Sequence, residues 1–230
     1  MDTFDDSLAF VKFGVGQPVT RKEDPTLLRG EGRYTDDINL PGQAHAVMVR
    51  SRNAHGLLKG IDTSEAKGMP GVLAILTASD LDEAGFGPLM CPLNVPQRDG
   101  TPMKTPPRWS LAKDKVRFVG EVVAVVVAET AVQAKDAAEA VMLDIEELPA
   151  VTSPEAALAE GAPQIHESAP GNLVLDFHFG NAEAVAKAFA EAAHVTRLEI
   201  DSQRIVVNAM EPRSAIGSCD TSKDRWVLNV

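Results

Sequence analysis

Cysteine is nearly absent: Cys91 and Cys219 are the only two in 230 residues. Two thiols cannot build a disulfide framework, so a reducing, cytoplasmic location is the default. Long apolar runs are missing as well. None reaches the roughly 18 residues needed to cross a bilayer, and the longest strongly apolar run, Val122 to Ala128, is strand-sized. The N-terminus, Met1-Asp-Thr-Phe-Asp-Asp6, carries acids where a secretory signal carries Lys or Arg. Basic runs are lacking too. Against 33 acidic residues stand 22 Lys and Arg, for a formal charge of −11. Such a surface repels phosphate backbones, so neither nucleic acid nor membrane is expected as a partner.

Recognisable chemistry is also scarce. The five histidines, His45, His55, His166, His178 and His194, show no His-x-x-x-His or His-Glu-x-x-His spacing. Cys91 and Cys219 lie too far apart for a zinc knuckle or a CxxC redox pair. No GxGxxG follows a strand and opens a helix; Gly14-Val-Gly16 and Gly30-Glu-Gly32 read as turn glycines. No Gly-x-Ser-x-Gly nucleophile elbow is present.

What remains is the composition of a globular protein, 44% hydrophobic and 24% charged. Residues 1–27 read as an ordered arm without periodicity. His45 to Arg50 alternates like a strand, and Leu57 to Ile61 is a second, shorter one. A short helix over Thr63 to Lys67, capped by Ser or Thr, leads through Pro70-Gly71 into a buried strand, Val72 to Leu76. Residues 80–109, with six prolines and three glycines, form a long excursion of the kind that often covers a site or an interface. Strands follow at Lys115 to Val119 and Val122 to Val127. The helix over Thr130 to Met142 turns Ala134, Ala137, Ala138 and Val141 inward and Lys135, Asp136 and Glu139 outward. A strand from Leu143 ends at Pro149. Residues 151–172 read as a linker with a short helix, Pro154 to Glu160. A second unit opens with strand Leu173 to Phe179, a helix from Ala182 to Ala193 capped by Asn181, and strand Val195 to Asp201. Two further strands are Ser214 to Cys219 and Trp226 to Val230, the latter apolar and open-edged. The fold class is α+β: one closed domain followed by an unfinished one.

Three spots have functional potential, and each reads more simply as structure. Gly120-Glu121 suits a bulge whose Glu faces solvent or caps a neighbouring amide. Met210-Glu-Pro-Arg213 suits an ion pair or a Glu accepting backbone amides. Cys91 has no nearer cation than Arg98 to lower its pKa, so it reads as an ordinary loop thiol. No catalytic, cofactor-binding or metal-ligating residue is assigned.

Runs of residues nevertheless carry a resemblance. Arg21-Lys-Glu-Asp-Pro-Thr-Leu-Leu-Arg-Gly-Glu-Gly-Arg-Tyr-Thr-Asp-Asp-Ile-Asn-Leu-Pro-Gly42 resembles the opening of large subunits in the xanthine dehydrogenase/aldehyde oxidase family. It is most similar to the branch that includes aerobic carbon monoxide dehydrogenase. Val116-Arg-Phe-Val-Gly-Glu121 with Val125-Val-Val-Ala-Glu129 resembles a second family run. Ala137-Ala-Glu-Ala-Val141, Leu148-Pro-Ala-Val151 and Met210-Glu-Pro-Arg213 follow in family order. Val122 and Arg52 stand where the family commonly has proline.

The resemblance implies that residues 28–150 form an a/b hammerhead domain and that 173–230 are an incomplete first part of a molybdopterin-binding domain. It implies a structural N-terminal portion of a molybdenum hydroxylase large subunit that is not catalytic alone. The metal-proximal glutamine, the pterin loops and the glutamate base would lie downstream. In the complete enzyme it implies molybdopterin cytosine dinucleotide, with 2Fe-2S on a small subunit and FAD on a medium subunit. The substrate would be an aldehyde, a heterocycle or a CO-like molecule. The expected partners are the remainder of the large subunit, or a second chain supplying it, and a second copy of this chain. A stand-alone binding or assembly domain, or a non-functional remnant of a broken gene, is the alternative.

Overall fold

A computed structural model describes residues 21–200, 202 and 213–230. Gly42–Asp201 is one compact unit, and the described residues outside it belong to a second.

The first unit is built around its most apolar segment. β1 (His45–Arg50), β2 (Gly56–Asp62), α2 (Ser64–Lys67; α1 is the single turn Asp24–Leu27 outside this unit) and β3 (Val72–Thr77) come first. α3 (Ala78–Glu83), β4 (Lys115–Val116), β5 (Val122–Ala128), α4 (Ala131–Glu139) and β6 (Met142–Glu147) follow. Two three-stranded antiparallel sheets result, ordered β1-β5-β3 and β4-β2-β6. β5 is central in the first sheet because it can be covered on both faces. Val123, Ala124, Val126 and Ala128 are all fully buried. Ala124 and Val126 join Val49 and Ile75 against Ala137 of α4. Val123 instead joins Ala112 and Val116, packed with Leu58 and Ile145 of the second sheet. One strand thus feeds both cores. Burying each valine side chain contributes roughly 1.5–3 kcal/mol.

Of the expected inward face, Ala134 and Ala137 of α4 are buried and Ala138 is half-buried, while Val141, also buried, lies just beyond the end of the helix. It starts where Thr130 Oγ1 accepts the Gln133 N–H at 3.2 Å. α2 departs from expectation in its cap: Thr63 makes no side-chain cap, and Asp62 Oδ1 accepts the Ser64 N–H at 2.9 Å instead. The excursion expected from residue 80 begins later, because Asp80 closes a capping box with Thr77 and holds α3 in helical form. β4 is shorter than Lys115 to Val119, since Glu121 N–H turns back to Phe118 O at 3.2 Å.

α5 (Pro154–Leu158) and α6 (Ala182–Glu191) match the expected helices, and Asn181 Oδ1 caps α6 from 2.9 Å. No strand forms over 173–179 or over the described residues 195–200. The first of these spends its backbone on the long loop: Arg98 N–H donates to Asp176 O at 2.8 Å and Lys104 N–H to Val174 O at 3.0 Å. The second has no ladder partner among the described residues, and alternation without a neighbour leaves a strand unformed. Outside the first unit, β7 (Ile216–Asp220) and β8 (Arg225–Asn229) pair as an antiparallel hairpin. Gly14-Val-Gly16 and Met210 to Pro212 lie outside the described residues.

Candidate functional site

The Gly120-Glu121 step is a pinned turn. Gly120 adopts φ +89°, which glycine tolerates without cost. Its N–H donates to Ser51 O at 2.8 Å, Ser51 N–H donates to Glu121 O at 2.9 Å, and the Arg50 guanidinium donates to Gly120 O at 2.8 Å. The Glu121 carboxylate accepts the Arg117 N–H. β5 carries its extra residue beside this turn, where Arg50 pairs with Val122 but Val49 with Ala124. The carboxylate therefore caps an amide.

Cys91 is exposed, and Arg98 is engaged elsewhere, its Nε 3.3 Å from the Asp176 carboxylate. Cys219 is exposed on β7. Of the histidines only His55 is buried. Its Nδ1–H donates to Pro149 O at 2.7 Å, fastening the start of β2 beyond the end of β6, while Nε2 has no protein partner. His194 Nε2 lies 3.2 Å from Thr196 Oγ1. The described histidines are not brought together, and no group of three or more His, Cys, Asp or Glu suited to a metal occurs among the described residues.

Two arrangements had no signal in the sequence. The first is a charged clasp on β4. Lys115 Nζ lies 2.6 Å from Glu167 Oε1, and Arg117 donates to Ile165 O at 3.1 Å while its guanidinium sits 3.7 Å from Glu167. The Lys115 hydrogen bond, with the Glu167 backbone N–H, lowers the Glu167 carboxyl to about 2. Burial and then the Arg117 charge push His166 below its usual value. Asn172, at φ +56°, completes the clasp by accepting Ile165 N–H and donating to Ala157 O and Pro163 O. The expected linker is thereby tied to the sheet beneath it.

The second is a cavity of about 340 Å³ on the face of sheet β1-β5-β3 turned away from α4. Strand alternation sends Met48, Leu76 and Val125 to that face, opposite Val49, Ile75 and Val126. α3 and residues 110–111 form the facing wall through Leu81, Ser110 and Leu111.

The comparisons agree with this architecture. The family described as aldehyde oxidase and xanthine dehydrogenase, a/b hammerhead domain, matches residues 29–149. The nicotine 6-hydroxylase large subunit of Paenarthrobacter nicotinovorans is 37% identical over 216 residues, 93% of this chain and 25% of that protein. The carbon monoxide dehydrogenase large chain of Afipia carboxidovorans is 34% identical over 230 residues, 94% of this chain and 27% of that protein. Among solved structures, a Cu,Mo-CO dehydrogenase in its carbon monoxide-reduced state superimposes with a TM-score of 0.74. That match has 33% identity and covers 94% of this chain and 27% of the other. The chain spans about a quarter of the length of the curated relatives it matches.

Proposed function

Because the chain belongs to the aldehyde oxidase and xanthine dehydrogenase family, we propose that it serves as the N-terminal structural portion of a molybdenum hydroxylase large subunit. The likeness along nearly all of this chain to about a quarter of two such large subunits carries this reading. The complete protein would oxidise an aldehyde, a heterocycle or a CO-like substrate in the cytoplasm. Residues 28–150 would be its hammerhead domain behind the arm 1–27, and 173–230, after the linker 151–172, would open the molybdenum-binding domain.

The cofactors of such an enzyme would be molybdopterin cytosine dinucleotide in the remaining polypeptide, with 2Fe-2S and FAD on small and medium partner subunits. The described residues of this chain do not fit an iron–sulfur cluster. They offer two exposed thiols, whereas an iron–sulfur cluster takes about four thiolates. No chemical step is assigned to this chain; its part is to hold β5 and the clasped segment rigid beside the catalytic polypeptide.

Metal analysis tests the reading. The chain purified alone should carry substoichiometric molybdenum and iron. Co-expressed with a polypeptide supplying the remaining length, it should enter a molybdenum-containing complex that oxidises an aldehyde or N-heterocycle. One molybdenum per isolated chain, or exclusion from every such complex, overturns it.

A further inference from the structure

We propose that the free edge of β6 docks an extended strand of a partner protein, one carrying Lys or Arg at alternate positions with aliphatic residues between them. β6 stands at one side of sheet β4-β2-β6 and pairs only with β2 among the described residues.

The ladder fixes which backbone groups face outward. Leu148 N–H donates to His55 O at 2.9 Å, in register with the Gly56–Glu147 pair. On the other side of β2, Leu58 N–H donates to Asp114 O at 3.0 Å. Alternation from these two anchors turns the backbone of Asp144 and Glu146 toward β2, and that of Leu143, Ile145 and Glu147 toward the open edge. Outside the β2 ladder, no hydrogen bond among the described residues reaches the amides or carbonyls of those three. Nothing within β6 blunts the edge. It holds no proline, and Lys59, the extra residue of the ladder, sits on β2. Such a row of backbone donors and acceptors is a template for a further strand.

Charge chooses the occupant. Between Asp136 and Glu147 the chain has five acids and no Lys or Arg. Asp144 and Glu146 alternate onto the outer face of the sheet, and both are exposed. Glu146 pairs with Lys59 at 2.7 Å, whereas Asp144 makes no ion pair among the described residues. Lys115, on the same face beyond β2, is held by Glu167. Asp144 thus keeps its charge for an incoming Lys or Arg, whose Cβ would stand about 5 Å away across the new ladder. On the inner face Leu143 and Ile145 are half-buried against the cluster of Val116 and Val123. Aliphatic residues of the incoming strand would extend that apolar rim. A second copy is the wrong occupant. Two-fold pairing centred on Ile145 sets each Asp144 opposite a Glu146, and like charges directly opposite destabilise. The site belongs to this edge alone and is independent of the role of the chain in a larger enzyme.

Amide NMR of the whole chain, titrated with a blocked Lys-Val-Lys-Val-Lys-Val-Lys peptide, decides it. The Leu143, Ile145 and Glu147 amides should shift saturably and gain hydrogen-exchange protection. The Asp144 and Glu146 amides, already bonded into β2, should keep theirs. A Glu-Val-Glu-Val-Glu-Val-Glu peptide should not bind. Nor should the lysine peptide with its valine amides N-methylated, which keeps the charge and removes the ladder donors. Asp144→Lys, at an exposed position, should weaken the lysine peptide about fivefold. If that variant disturbs the fold, the two control peptides on the parent chain carry the test. Absence of saturable shifts at the three edge amides overturns the proposal. So does equal binding of either control peptide, and so does unchanged affinity in a folded Asp144→Lys.

Discussion

A single methyl group added at position 56 would be felt across a sheet. Gly56 pairs with Glu147, and a Cβ there would stand 2.9 Å from the backbone oxygen of Glu146 and against the Ile145 side chain. A carbonyl in a ladder cannot step aside as a flexible side chain can. Gly56→Ala should therefore destabilise the chain by about 1–3 kcal/mol, read by urea denaturation; an unchanged midpoint would mean that β2 and β6 are less tightly spaced. Glu167 is the residue whose protonation matters most. Its folded value of about 2 lies below its ordinary 4.5, chiefly through the Lys115 hydrogen bond. The stabilisation is thus fully present above about pH 4.5 and is lost as pH falls toward 2. The carboxylate is largely exposed, 68% for its side chain, and water screens the pair, so it contributes less than about 1 kcal/mol. Glu167→Gln should leave neutral stability within that margin and flatten the stability curve between these pH values. A variant curve parallel to the parent's over that range would show that the pair is not formed.

At the scale of elements, β5 governs. Val126 is fully buried and touches the cluster that joins sheet β1-β5-β3 to α4. Val126→Ala should cost about 2–3 kcal/mol, whereas the same change at exposed Val132 of α4 should cost little; equal losses would misplace the core. This hierarchy was legible in the sequence, because a run of valines between turn signals and an alanine stripe at helical spacing each specify both an element and its buried face. α6 and its Asn181 cap were legible for the same local reason. The stretch 173–179 was not: its alternation resembled a strand, but a strand exists only where a neighbour offers hydrogen bonds, and here the long loop took them. Site features failed similarly. Lys115 and Glu167 are 52 positions apart, so nothing local announces their pairing. The cavity liners look like core residues, because an apolar strand position reads the same whether its face is covered or open.

At the scale of the whole molecule, the open surface argues for association. β8 pairs only with β7 among the described residues, and every residue of β8 is exposed. Trp226 is 77% exposed, Leu228 68% and neighbouring Val230 86%. A two-stranded hairpin is marginal in water, and a bare apolar edge is a template for further pairing. Two copies meeting edge to edge would place β8 against β8 about a two-fold axis, the commonest closed symmetry, and would cover the tryptophan on both sides. The charge of −11 opposes contact only weakly once salt shortens its reach to about 8 Å. The isolated chain should therefore sediment as a dimer or larger species at physiological salt, and Val227→Lys or Leu228→Lys should shift it toward monomer. In the parent, β8 amides should gain hydrogen-exchange protection as concentration rises. Both variants sedimenting as the parent does, with β8 exchange independent of concentration, would mean that another surface makes the contact. A parent that stays monomeric at high concentration would mean that this edge is not adhesive at all.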